Sequence, residues 1–198
     1  TTVGADSRAT GTFTSAFGAN AKATGSSAVA IGNAANASSS AAMAIGTRSQ
    51  ATGTSGTAVG VDSRATAVRA TALGFTSIAS GVESTAIGNE TEATGVNSIA
   101  IGDKADAKAE NAVSIGADSQ ANLVDAIAIG TSARASSIRT TAIGTNSVAS
   151  GLNGATSVGF SAEATGSNSV AIGGDGGDGD TKGALASGNN SVALGGDA

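Results

Sequence analysis

A chain of 198 residues with 30 glycines, four phenylalanines and no proline, cysteine, histidine, tryptophan or tyrosine cannot fill a conventional core, because aromatic side chains supply much of the area buried there. A formal net charge of −5 without stacking platforms argues against nucleic acid as a partner. Without histidine or cysteine, the commonest general bases, thiol nucleophiles and transition-metal ligands are missing.

From the first residues the sequence is periodic. A glycine preceded by a bulky apolar residue stands at Gly4, Gly18, Gly32, Gly46, Gly60, Gly74, Gly88, Gly102, Gly116, Gly130 and Gly144, always 14 residues apart. Gly159, Gly173 and Gly195 continue the series after steps of 15, 14 and 22. These are termed the anchor glycines. The stretch Thr1 to Gly11 has no signal-peptide pattern and no apolar run reaches membrane-spanning length, so a fragment is expected, its export signal and anchor encoded elsewhere.

Before each anchor lies a short strand. The preceding residue is bulky (Phe17, Ile31, Leu73, Ile101), and the one before it is Ala except at Thr2, Ser114 and Ser157. Three before the anchor stands Val29, Met43, Ile99, Val113, Ile127, Val170 or Val192, or else Thr or Ser. After each anchor a second strand alternates in the same way. The third residue on is small and the fifth is Ala through Ala164, while the second and fourth are usually polar, as in Asp6 and Arg8 or Asp62 and Arg64. Charge is absent from the bulky, Ala and small columns.

One coil therefore reads as two strands of about five residues joined by two tight turns. Modules so rich in Gly, Ser and Thr have poor helix propensity. The anchor corner is expected to need glycine's positive φ or a close backbone approach, most clearly at Gly18, Gly32, Gly46, Gly60, Gly74, Gly88, Gly102, Gly116, Gly130 and Gly144. A second glycine, about seven residues later at Gly11, Gly25 or Gly53, gives way to Ser39, Ala67, Ala109, Leu123 or Ser137, so that corner is less demanding.

The expected fold is all-β, a parallel β-solenoid of about fourteen 14-residue coils. With strands about 4.8 Å apart, fourteen such coils would make a rod roughly 65 Å long. The bulky residues are expected inside. Burial per chain is then small against the cost of ordering the backbone. The uncharged Ala column two before the anchor is expected to face outward and pack against other copies of the chain.

Two irregularities break the phase. An extra residue among Leu152 to Ala155 reads as a bulge or loosened turn. The stretch Gly173-Gly174-Asp175-Gly176-Gly177-Asp178-Gly179-Asp180 resembles one unit of a calcium-binding nonapeptide β-helix. Such sites form between tandem units, however, and phase counting makes it an inserted surface loop at about 174–181 in a single domain, 1–198.

The modules Asn97-Ser98-Ile99-Ala100-Ile101-Gly102 and Asn168-Ser169-Val170-Ala171-Ile172-Gly173, with elements such as Ala21-Lys22-Ala23-Thr24-Gly25, resemble the head repeats of YadA-like trimeric autotransporter adhesins. The resemblance covers essentially the whole chain. It implies a left-handed parallel β-roll, a homotrimer, display on a Gram-negative outer membrane, and adhesion to matrix proteins such as collagen, fibronectin or laminin. The Asn-Ser-Val-Ala-Ile-Gly form, linked in the family to collagen binding, is approached only at 97–102, 168–173 and 190–195. No neck, coiled-coil stalk or membrane barrel is legible, so any membrane attachment would run through an anchor outside these residues.

No enzyme activity, cofactor or metal site is expected. The carboxylate pairs Glu90 with Glu92 and Asp103 with Asp106 read as a solvated face. The basic residues Arg8, Lys22, Arg48, Arg64, Lys104 and Arg134 recur on the polar strand among Asp6, Asp62, Asp106 and Asp118. They make either a solubilising face or a ladder of weak ligand-docking sites that gains avidity by repetition. Beside the adhesin reading stand a non-binding spacer of a surface fibre and an ice-binding solenoid. The latter is suggested by Thr10, Thr24, Thr52, Thr66, Thr94 and Thr165 at one phase, a column broken by Lys108 and Asn122.

Overall fold

The computed structural model describes residues 1–177 and 181–196. The chain is an all-β parallel solenoid, without helix among the described residues. It divides into two compact units, Thr1–Asn97 and Ser98–Ala198.

In the first unit, one sheet runs β1 (Thr2–Val3), β3 (Ser15–Phe17), β5 (Val29–Ile31), β7 (Met43–Ile45), β9 (Thr57–Val59), β11 (Thr71–Leu73) and β13 (Thr85–Ile87). The other runs β2 (Arg8–Ala9), β4 (Lys22–Ala23), β6 (Asn36–Ala37), β8 (Gln50–Ala51), β10 (Arg64–Ala65), β12 (Ile78–Ala79) and β14 (Glu92–Ala93). The second unit repeats the plan. Its first sheet holds β15 (Ile99–Ile101), β17 (Val113–Ile115), β19 (Ile127–Ile129), β21 (Thr141–Ile143), β23 (Thr156–Val158), β25 (Val170–Ile172) and β27 (Val192–Leu194). Its second holds β16 (Asp106–Ala107), β18 (Gln120–Ala121), β20 (Arg134–Ala135), β22 (Val148–Ala149), β24 (Glu163–Ala164) and β26 (Leu185–Ala186).

Register stacks like on like. Ala72 lies between Ala58 and Ala86, and Leu73 between Val59 and Ile87. The step becomes 15 where Thr141 pairs with Thr156, and 22 where Val170 pairs with Val192. Across that longer step the chain rejoins at Ala184, whose N–H donates to the Gly173 carbonyl (3.2 Å). Asp178 and Asp180 of the calcium-like stretch lie outside the described residues.

The strands are two or three residues long, shorter than the five expected, because each corner takes a full four-residue turn. The Ser7 N–H closes one such turn on the Gly4 carbonyl (3.3 Å), and the Ala28 N–H closes the other kind on Gly25 (3.2 Å). The third residue of each turn has positive φ, as type II geometry requires. Asp6, Phe13, Asn20 and Ser27 begin a series of such residues spaced by seven, with φ of 54, 57, 58 and 57°. The coil is thus two similar seven-residue halves. Turns stack as well as strands: the Asn20 N–H donates to the Ala5 carbonyl one coil back (2.8 Å).

The interior corrects the expected parity. Ala16, Ala30, Ala44, Ala58, Ala72, Ala86 and Ala100, all two before an anchor, are completely buried, whereas Phe17, Ile31 and Leu73 beside them are 37, 39 and 43% exposed. The small residues three and five after the anchor face inward as expected, and those four before it (Ala28, Ala42, Ala70, Ser98, Ala112) join them. The two sheets approach so closely that only Ala, Ser, Thr and Gly fit between them. The bulky columns are therefore turned out.

Several buried hydroxyls are satisfied across the turns, while those of Ser84 and Ser157 have no partner. Ser49, Ser63 and Ser119 donate to the carbonyls of Gly46, Gly60 and Gly116 at 2.9, 3.0 and 2.8 Å. The pair Ser114 and Ser119 also bonds through its hydroxyls inside the coil (2.7 Å).

Candidate interaction surface

With the small side chains inside, each unit presents two different outer faces. The first sheet turns out two adjacent columns. One holds the residues just before the anchors, Ile101, Ile115, Ile129 and Ile143 in the second unit. The other holds Ile99, Val113, Ile127 and Thr141, two positions earlier. All are half-buried or exposed, and none is charged. The first unit carries the same strip in Val29 and Ile31, Met43 and Ile45, and Thr71 and Leu73. A contiguous aliphatic strip of this kind on an isolated chain marks a contact surface.

The second sheet turns out one polar column, and here the predicted basic residues divide. Arg8, Lys22, Arg64 and Arg134 lie on β2, β4, β10 and β20 and are exposed. Arg48 and Lys104 are not on the strand; they take the positive-φ turn position, with φ of 57 and 54°. Only Arg8 and Lys22 are register neighbours. Along the column Asn36 follows Lys22, while Arg64 stands between Gln50 and Ile78, and Arg134 between Gln120 and Val148. The structure thus makes no continuous cationic ladder of the six.

It does make open grooves between the turn row and the strand row. In the first unit Asn20, Lys22, Ala34, Asn36, Arg48 and Gln50 line one of about 390 Å³, rich in amides and holding two of the predicted cations. In the second, Arg134, Asn146, Val148, Ser161 and Glu163 line one of about 620 Å³, closed on one side by Thr181 to Gly183 and Leu185. The amide contribution of Asn20, Asn36 and Gln50 is invisible to a reading of the sequence by charge alone.

Two of the arginines on the turns are paired from coil to coil. Arg48 bonds Asp62, and Arg69 bonds Glu83, each partner one coil on at the same turn position. The Arg48 guanidinium holds the Asp62 carboxyl below the usual carboxylate range, chiefly by hydrogen bonding to it, and is itself raised by that bond. Asp106 bonds Lys108 (2.9 Å). Among the described residues no three acidic side chains gather as a metal site would require, and Asp175 accepts the Gly177 N–H (2.9 Å). The threonine column of Thr10, Thr24, Thr52, Thr66, Thr94 and Thr165 is exposed or half-buried and only one residue wide.

The anchor glycines carry φ near +130°: +128° at Gly18, Gly32 +128°, Gly46 +130°, Gly60 +134°, Gly74 +139°, Gly88 +137°, Gly102 +134°, Gly116 +130°, Gly130 +132° and Gly144 +129°. A Cβ at Gly74 would also lie 2.0 Å from the Gly88 carbonyl oxygen of the next coil. A repeat with this corner in every coil is what the family comparison matches. The YadA head domain repeat model covers residues 3–21, 23–49, 51–77, 79–105, 107–133, 135–154, 153–175 and 182–198. The chain belongs to the YadA head domain repeat family. No curated protein sequence matches it. A YadA head is an adhesin domain of surface-exposed proteins and not an enzyme family, and the four 27-residue matches, 23–49, 51–77, 79–105 and 107–133, each span about two of the coils described above.

Proposed function

We propose that this YadA head is a homotrimeric adhesin head, wound left-handed as the family resemblance implies. In this reading it is displayed outside a Gram-negative outer membrane and binds matrix or cell-surface ligands through its repeated polar grooves. The observation that carries the reading is the aliphatic strip on the first sheet of each unit. A coil lined by Ala and Ser buries little apolar area by itself, whereas three copies meeting on those strips would remove the exposed Ile, Val and Leu columns from water at about 25 cal/mol per Å². The polar second sheet and the turns then remain outside, where many weak contacts to a repetitive ligand such as collagen, fibronectin or laminin would add by avidity.

Sedimentation equilibrium should return three times the 18.3 kDa chain mass, and immobilised matrix ligands should retain the trimer. A stable monomer at micromolar concentration overturns the assembly. A trimer that binds none of the ligands leaves a spacer of a surface fibre.

A further inference from the structure

The sequence holds a single Asn-Gly pair, Asn153-Gly154, and it falls in the coil with the 15-residue step. Elsewhere along this row the positive-φ residue is tied to the coil before it. The Arg139 N–H donates to Val124 (3.0 Å) and the Asn168 N–H to Leu152 (3.1 Å). At most of these turns the following N–H is tied too, closing its own turn, as Ser169 does on Gly166 and, at the anchor corner, Ser147 on Gly144 (both 3.2 Å). Asn153, with φ 60°, and Gly154 make neither bond among the described residues. Asn153 is exposed, and Gly154 (φ +96°) has only the Arg139 carbonyl oxygen, 3.8 Å away, beside the position a Cβ would take. The extra residue leaves the Asn153 N–H and the backbone nitrogen after it without these bonds, beside an exposed side chain.

We propose that Asn153 is a site of spontaneous deamidation whose product carboxylate completes an inter-coil pair with Arg139. The freed Gly154 nitrogen gives its proton to hydroxide and attacks Cγ of Asn153. The new N–Cγ bond closes a five-membered imide, and the side-chain nitrogen leaves as ammonia with a proton from water. Water then opens the imide to aspartate or isoaspartate, with no oxidant or reductant required. The step adds one negative charge. That charge arises where the fold already uses one: Asp62 and Glu83 stand 14 residues after Arg48 and Arg69 at the same kind of turn position, and Asn153 stands 14 residues after Arg139. At Asn146 and Asn168 the reacting nitrogen would first have to leave its turn bond.

The test is to incubate the intact chain at mildly alkaline pH, folded and in guanidinium, and follow deamidation of each asparagine by peptide mapping. At Asn153 the folded and denatured rates should be nearly equal. At Asn146 and Asn168 the folded rate should fall about five-fold or more below the denatured one, the factor that a single retained hydrogen bond provides. Protection of Asn153 as strong as theirs overturns the site. For the pairing, N153D should raise the thermal midpoint at low salt in the wild-type background and not in R139A; equal effects in both backgrounds overturn it.

Discussion

Asp62 accepts two hydrogen bonds from Arg48, one coil earlier, with Nε donating to Oδ1 at 2.7 Å and an Nη to Oδ2. Both residues are at positive-φ turn positions, so the pair clamps successive turns from outside. Because the folded carboxyl titrates below the range it has in the unfolded chain, the pair stabilises the fold at neutral pH. That stabilisation is lost as pH falls through and below the ordinary carboxylate range. Asp62→Asn should therefore lower the thermal midpoint at neutral pH and low salt, with the difference closing in acid and in high salt. A gap that persists in acid would show that the substitution acts through something other than charge.

Ala72 and Leu73 are neighbours with opposite surroundings, the first fully buried and the second 43% exposed. Ala72→Leu should cost about 2 kcal/mol or more, because close-packed sheets cannot admit three further carbons without backbone shifts. Leu73→Ala should cost a separated protomer less than about 1 kcal/mol but weaken self-association, so its effect on the midpoint should grow as the protein is diluted. Denaturant unfolding at two protein concentrations distinguishes the two behaviours. Equal, concentration-independent losses would contradict the assignment of inside and outside.

The 14-residue coil, the parallel stacking and the anchor corner are legible in the sequence because each is carried by residues recurring at one phase, such as Gly18, Gly32 and Gly46. Strand parity is not settled by the same pattern. Alternation says that Ala72 and Leu73 face opposite ways and leaves open which way is in. Bulk argues for Leu73, and the structure shows the reverse. Ala70, four before the anchor, shares parity with Ala72, and that column is always Ala, Ser, Thr or Gly at positions 14 to 169. Two small columns on one strand facing two small columns on the other define a thin interior, and this signal is present in the sequence. Arg48 and Lys104 fall on a strand only if positive φ is reserved for glycine. Their turn position is filled by Asp, Asn, Ser, Arg, Lys and even Thr76, whose conformation is imposed by stacking on the coil before. The amide-lined groove is not legible, since Asn20, Asn36 and Gln50 meet only when coils stack.

Gly74 and Gly188 should respond differently to alanine. Gly74 has φ +139°, and a Cβ there would meet the Gly88 carbonyl oxygen at 2.0 Å, so Gly74→Ala should cost about 3 kcal/mol or more through backbone strain and lost stacking. At Gly188 φ is not positive, and the nearest atom to a new Cβ is that of Ser191, at 3.5 Å. Gly188→Ala should be neutral or stabilising by up to about 1 kcal/mol, as the unfolded chain loses freedom. Paired thermal melts check this, and comparable losses at both sites would refute the special role of the anchor corner.

Phe13 is the most exposed large apolar residue, at 88%, and holds φ 57° at the second corner of the first coil. An aromatic side chain there bears the steric cost of the left-handed region without burial to offset it, whereas Asn adopts that region more readily and occupies the equivalent position at Asn97, Asn111 and Asn168. Phe13→Asn should therefore stabilise the fold by about 0.5–1 kcal/mol. Binding to matrix ligands should be unchanged, since Phe13 lines neither polar groove. If stability falls instead, Phe13 is buried in the assembled protein, and the contact surface reaches beyond the aliphatic strip to this corner.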